Sequence, residues 1–317
     1  MSATTAIPAV SLAPGVAALA EKPEADRPHT PNQEDLAFGC PRFFLPEAKQ
    51  VYVVVSSRAR GVSVGVNLNP DQSCNFDCCY CEVGRRLTQA AGLAPVPVNT
   101  QTLAAELTEA LTQLHNGSLL QSPAIAGLPA EMRRLAHVAI SGDGEPTLCP
   151  NFSEAVESVV HLRAAGIVPF FKLVLITNST ALDLAEVRNG LRLFIRSDEI
   201  WAKLDAGTQA FMDRINQPEV PLTRVLANIL QLARVRPVVI QSMFVETEGA
   251  MPDRVELTEY AKRLNELKAG GAQISLVQIY SATRPHHSRR CRHLSLRVLS
   301  EIAAFVRQMT GLRVEVF

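Results

Sequence analysis

Three cysteines, Cys74, Cys78 and Cys81, are spaced C-x3-C-x2-C in the stretch Asn67-Leu68-Asn69-Pro70-Asp71-Gln72-Ser73-Cys74-Asn75-Phe76-Asp77-Cys78-Cys79-Tyr80-Cys81, directly after an apolar run. Three thiolates on one short loop can hold three corners of a cubane iron–sulfur cluster. The fourth iron then has no protein ligand. Clusters that only carry electrons are generally tied down by four protein ligands, and an open coordination position separates catalytic metal sites from structural ones. Zinc is the rival reading, because C-x2-C pairs bind it. A structural zinc site usually takes four ligands from paired knuckles, however, and there is no second C-x2-C. Inert thiols also stay open on spacing alone. A disulfide framework needs an oxidising compartment. The apolar stretch at residues 6–10 follows no Lys or Arg, and Pro8, Pro14 and Gly15 interrupt it. Neither a secretory leader nor a membrane span is expected there, which points to a cytoplasmic protein.

One βα unit further on lies His137-Val138-Ala139-Ile140-Ser141-Gly142-Asp143-Gly144-Glu145-Pro146-Thr147. It reads as a short buried strand running into a glycine-rich turn, where missing side chains let the backbone approach a ligand closely. Alone, such a turn is commonplace. After a three-cysteine loop it carries weight.

Together the two segments resemble the radical S-adenosylmethionine (SAM) superfamily. Its hallmark is C-x3-C-x2-C with an aromatic residue before the last cysteine, here Tyr80. The glycine turn is similar to the superfamily's GGEP motif, with Asp143 where the first glycine is usual. The resemblance implies a 4Fe-4S cluster on Cys74, Cys78 and Cys81 whose open iron chelates the amino and carboxylate groups of S-adenosyl-L-methionine. An electron donor such as flavodoxin or ferredoxin would feed the cluster, and the 5′-deoxyadenosyl radical would take hydrogen from a substrate. By the same resemblance Gly142, Gly144, Glu145 and Pro146 lie at the methionyl amino group. Thr177 and Asn178 would lie near the carboxylate or ribose. Lys203 and Asp205 would reach the ribose or carboxylate, and Tyr80 would pack on the adenine. Read from residue types alone, the segment 177–180 serves equally as a helix N-cap cluster, and Lys203 and Asp205 as a mutual ion pair.

Within the superfamily, Asn67–Asp71, Ser141–Thr147 and Ala202–Ala206 look most like the branch of tRNA wybutosine-synthesising enzymes. A tRNA-base-modifying activity is therefore one alternative. A non-catalytic metal-binding interaction module, docking through residues 284–293, is another.

The elements that must position these residues follow from periodicity. Strand-like runs fall at 62–68, 136–141, 171–177, 200–205, 238–245 and 274–281, with amphipathic helical segments between them. Signals predict helices over 101–114 (capped by Asn99 or Thr100), 152–165 after Asn151, 253–268 and 294–309. An added strand precedes the core at 50–55, and a short one closes the chain at 312–317. Strands alternating with helices imply a parallel sheet. Pattern alone does not separate an open doubly wound sheet from a barrel. The resemblance implies an α/β partial (β/α)6 barrel with its site at the C-terminal strand ends, where barrel chemistry sits.

Residues 1–35 read as a disordered tail and 36–317 as one core domain. The core proper covers about 60–281, and 282–317 form a C-terminal extension. Lys and Arg number 31 and Asp and Glu 31, so overall charge offers no pull toward nucleic acid or an anionic membrane. The one concentrated basic stretch, Arg284 to His293, reads by default as a solvated loop, or as a lid for an anionic substrate. His287, Cys291 and His293 there match no common metal-site spacing. Gln241 is a further candidate for the site, and nothing in the placement of Cys40, Cys79, Cys149 and Cys291 predicts a second cluster.

Overall fold

The computed structural model describes residues 42–83, 94–284 and 291–317. Strands β1 (Phe43–Phe44), β2 (Val51–Ser56) and β3 (Gly61–Val66) form an antiparallel meander. From β3 the sheet continues in parallel through β4 (Leu135–Ile140), β5 (Leu173–Thr177), β6 (Glu199–Lys203), β7 (Val238–Met243), β9 (Ile274–Tyr280) and β11 (Val314–Val316). A separate antiparallel ribbon pairs β8 (Val245–Thr247) with β10 (Cys291–His293).

Spatial order along the main sheet follows chain order without reversal. A doubly wound sheet reverses at a switch point; here every crossover steps the same way, which puts the helices on one face and curls the sheet. The fold is the expected partial (β/α)6 barrel, built on β3, β4, β5, β6, β7 and β9. The C-terminal strand adds a seventh parallel member at the open edge.

Period-two alternation divides the two faces. Val62, Val64, Val66, Val138, Ile140, Leu173 and Leu175 pack outward under the helices, as do Ile240, Val277 and Ile279 further round the sheet. Facing them are α1 (Thr100–His115), α3 (Phe152–Ala164), α6 (Leu222–Ala233), α7 (Arg254–Ala269) and α8 (Leu296–Thr310), with the shorter α2 (Pro123–Ala126), α4 (Ala185–Leu191) and α5 (Gln209–Ile215). Inward-facing Ala139, Val174, Trp201 and Val239 form a small apolar plug of their own.

The cap of α1 is Asn99, whose side chain accepts from Thr102 N, and Asp253 and Ser295 cap α7 and α8 in the same way. Asn151 stands at the N-cap position of α3 without a side-chain capping bond. It exchanges two hydrogen bonds with the Val98 backbone instead, fastening the entry to α1. At the lower, N-terminal end of the barrel, buried Arg163 makes a bidentate pair with Asp198 at 2.8 and 3.1 Å. Asp198 also accepts from Leu173 N and Ile195 N. Among the described residues no helix is long and apolar enough to cross a membrane. The expected tail at 1–35, Cys40 and His287 lie outside the described residues.

Candidate active site

The cysteine loop leaves β3 at Asn67 and is clamped by three other loops. Asp77 N and Cys79 N donate to Asn216 O and Ile215 O at the end of α5, each at 2.8 Å. The Asn75 side chain accepts from Asn178 Nδ2 (2.8 Å) and donates to Thr180 Oγ1 (2.9 Å), joining the loop to the end of β5. Glu145 N donates to Ser73 O at 2.9 Å, joining it to the turn after β4. Cys74, Cys78 and Cys81 are thiols and partly exposed, whereas Cys79 is buried. The Cys79 backbone carbonyl accepts from the Cys291 thiol at 3.1 Å.

The glycines of the second motif are required by close packing. A Cβ on Gly142 would meet Asn67 Oδ1 at 2.3 Å, and one on Gly144 would meet Ser73 O at 2.0 Å. They admit the cysteine loop itself. Asp143, at the unusual position, strengthens the same junction. Its Oδ2 accepts from Asn67 Nδ2 at 2.7 Å, its N–H donates back to Asn67 Oδ1 at 3.1 Å, and its Oδ1 pairs with Arg42 at 2.9 Å.

Glu145 is 3% exposed, and its carboxylate accepts from Thr147 N, Thr147 Oγ1, Thr177 Oγ1 and Asn178 N. Burial pushes its pKa up and these four donors oppose that, leaving the net direction upward. Pro146 opens a single helical turn behind it, with Glu145 as the cap. Glu145, Thr177 and Asn178 are thus brought together as a tie between two βα loops.

A second network gathers Cys78, Tyr80, Lys203 and Asp205. Asp205 accepts from the Tyr80 hydroxyl, from Met243 N at 2.8 Å and from Asn216 Nδ2 at 3.0 Å. Lys203 Nζ lies 3.7 Å from Asp205 and 4.8 Å from the centre of the Tyr80 ring. The ion pair foreseen as an alternative is present, and Tyr80 is 5% exposed beneath the ammonium. Burial lowers the Lys203 pKa but the Asp205 carboxylate outweighs it, so the group is held charged. Desolvation pushes the Cys78 thiol up to about 11; the Lys203 charge and the Asn216 hydrogen bond (3.3 Å to Sγ) pull the other way.

Asn216, which touches Cys78, Tyr80 and Asp205 together, was not singled out by sequence. Its only signal was its place just past a short helix. Arg58 was missed as well: it lies in the β2–β3 turn, yet its guanidinium reaches over the Tyr280 ring at 4.1 Å. Gln241 faces inward and donates to Gln278 at 3.2 Å. Ser242 and Ser281 bond backbone carbonyls and serve the fold. In the basic stretch, Arg284 pairs with Glu82 at 3.2 Å.

Among the described residues no three His, Cys, Asp or Glu side chains are gathered closely enough to hold one metal ion. A cubane asks for a different arrangement, since its thiolates bind separate irons. The donor set fits that group: three thiols on one braced loop, a hydrogen-bond donor on one sulfur, and a nearby ammonium to favour thiolate.

No family model matches the chain. The GTPase Obg of Brachyspira hyodysenteriae is 23% identical over 251 residues, which cover 78% of this chain and 32% of that protein. The chain therefore spans about a third of that relative's length. A UPF0026 protein of Methanocaldococcus jannaschii is 23% identical over 265 residues, 81% of this chain and 71% of the relative. Among solved structures, a radical SAM methyltransferase from Sphaerobacter thermophilus superposes with a TM-score of 0.58 at 14% identity, over 87% of this chain and 72% of that one. The fold is that of the radical SAM enzymes. TYW1 with a lysine-pyruvate adduct bound shares it, at a TM-score of 0.50 and 15% identity over 83% and 85% of the two chains. On this fold the three cysteines of the chain occupy the loop after the first parallel strand, β3.

Proposed function

We propose that this chain is a radical SAM enzyme that binds a 4Fe-4S cluster through Cys74, Cys78 and Cys81 and cleaves S-adenosyl-L-methionine reductively. The observation that carries this reading is the clamped loop. Three thiols lie where four βα loops converge at the C-terminal ends of a radical SAM sheet. When bound, the cluster and SAM would supply the electron and the 5′-deoxyadenosyl radical. The protein's part is position and electrostatics. Asn216 donates to Cys78 Sγ and so stabilises thiolate charge. Lys203, kept charged by Asp205, adds positive potential beside the same sulfur. Asn69 Oδ1 is buried at the Gly144 junction without a donor, and an N–H from a bound ligand would satisfy it.

The test is anaerobic reconstitution with iron and sulfide, followed by reduction in the presence of SAM. The expected product is 5′-deoxyadenosine, lost in Cys78→Ala and kept in Cys79→Ala. Cleavage unchanged in Cys78→Ala contradicts the ligand assignment. A colourless protein loaded with zinc supports the non-catalytic module instead.

A tRNA substrate is the second reading. The resemblance of residues 67–71, 141–147 and 202–206 to tRNA wybutosine-synthesising enzymes favours it. The balanced charge offers it no general electrostatic support. A cytoplasmic location and a flavodoxin- or ferredoxin-like donor belong to the same proposal.

A further inference from the structure

The concave face of the barrel is layered. Strand register aligns Trp201, Val239 and Leu276 in one apolar row, and Lys203, Gln241 and Gln278 in the row directly above it, toward the C-terminal strand ends. Tyr280 lies one inward-facing step higher on β9. Over its ring sits Arg58, contributed from the opposite edge of the sheet by the β2–β3 turn. The open seam brings that turn to the last strand: the nearby Arg60 pairs with Glu315 of β11 at 2.9 Å, and Glu315 is in register with Gln278.

Among the described residues, four cations stand around this mouth, Arg42, Arg58, Lys203 and Arg284. Arg42 is paired with Asp143 and Glu82, Arg284 with Glu82, and Lys203 with Asp205. Arg58 has no hydrogen bond or ion pair among the described residues. Its side chain is partly buried against Tyr280. An arginine held over an aromatic ring by its charge still has N–H donors for a ligand. Its geometry matches a planar or tetrahedral oxyanion, which it binds through two parallel hydrogen bonds.

The structure assigns to Arg58 the recognition of an oxyanion, carboxylate or phosphate, on a small substrate entering the barrel mouth above the Gln241–Gln278 row. That the anion belongs to a substrate rests on the radical SAM reading; the anion site itself stands on the unpaired guanidinium.

Inorganic phosphate and acetate are the probes, titrated separately into the full-length chain with and without a reconstituted cluster. Binding is followed by phosphorus NMR line broadening and saturation-transfer proton NMR. Wild type is expected to bind at least one of them with a dissociation constant on the order of millimolar. Arg58→Gln should weaken that affinity about 10- to 100-fold, the worth of a charge-assisted hydrogen-bonded pair. Arg58→Lys should fall between, because a lysine keeps the charge and loses the fork. Arg60→Gln, which removes an equal charge from the same turn, should change affinity by less than about twofold. Tighter phosphate than acetate assigns a phosphate-bearing substrate, and the reverse order a carboxylate. No saturable binding by wild type overturns the proposal. So does equal loss in Arg58→Gln and Arg60→Gln, which marks a diffuse charge effect. Thermal melting checks that each variant is folded. Were phosphate bound but no 5′-deoxyadenosine formed, the anion site would stand and the radical SAM reading would fall. Were SAM cleaved with neither anion bound, the radical SAM reading would stand and the anion site would fall.

Discussion

The two ends of the barrel use the same side-chain chemistry to opposite effect. At the lower end Arg163 and Asp198 are buried together, and both carboxylate oxygens of Asp198 are used within neighbouring elements. Glu199 there accepts from Trp201 Nε1 at 2.8 Å and pairs with Lys172 at 2.9 Å, sealing the floor. At the upper end, polar groups tie loops from different βα units to one another. Asp205, Asn216 and Tyr80 brace the cysteine loop, while its three thiols stay partly exposed and Arg58 keeps its N–H edge uncommitted. The lower network holds strand to helix within the sheet, and the upper ones hold loops of different βα units against one another.

That contrast can be broken experimentally. Asp198→Ala strands the Arg163 guanidinium in a dry floor and should cost about 3–5 kcal/mol of stability, read by denaturant unfolding. SAM cleavage per folded molecule should persist, since nothing at the mouth touches this pair. Asp205→Ala should cost less, about 1–3 kcal/mol, because Lys203 retains some access to solvent. It should nevertheless abolish or sharply reduce cleavage, since the brace under Cys78 and Tyr80 is lost. If Asp198→Ala loses cleavage per folded molecule while Asp205→Ala retains it, the division between the two ends is wrong.

A third effect is one of pH. His137 lies inside the barrel edge-on to Trp201, with ring centres 5.3 Å apart. Burial, then the charges of Lys172 and Arg58, push its pKa down to about 3 from an ordinary 6.5. Unfolded chains take up a proton near the ordinary value and the folded protein refuses it. The stability tied to this residue is therefore fully present above about pH 6.5 and declines as pH falls toward 3, by up to about 1.4 kcal/mol per unit. In His137→Gln the acid slope of unfolding stability between those values should flatten; an unaltered slope assigns it to other groups.

Much of the fold was legible because β-strand alternation and helix caps are local. The six core strands fall where the apolar runs placed them, and Asn99 caps its helix through a side-chain bond to the next turn, whereas Asp253, expected as the first helical residue, is itself the cap. The strand β1 and the β8–β10 ribbon were not foreseen, being two or three residues long. Such runs are too short for periodicity to register. The thiols were legible from spacing, which a single loop fixes. What spacing does not reveal is which loop packs on which. At Gly142 and Gly144 a Cβ would meet Asn67 and Ser73, a contact that no local pattern marks. Asn216 and Arg58 reach the mouth by tertiary packing from outside either motif, and no local pattern marks them.

The central claim is a cluster on three thiolates with one iron left for SAM. Electron paramagnetic resonance of the anaerobically reconstituted, reduced protein, recorded before and after SAM is added, tests it most directly. A cubane signal that shifts when SAM binds is the predicted result. A cubane signal indifferent to SAM, or none from a chain carrying all three cysteines, contradicts the account.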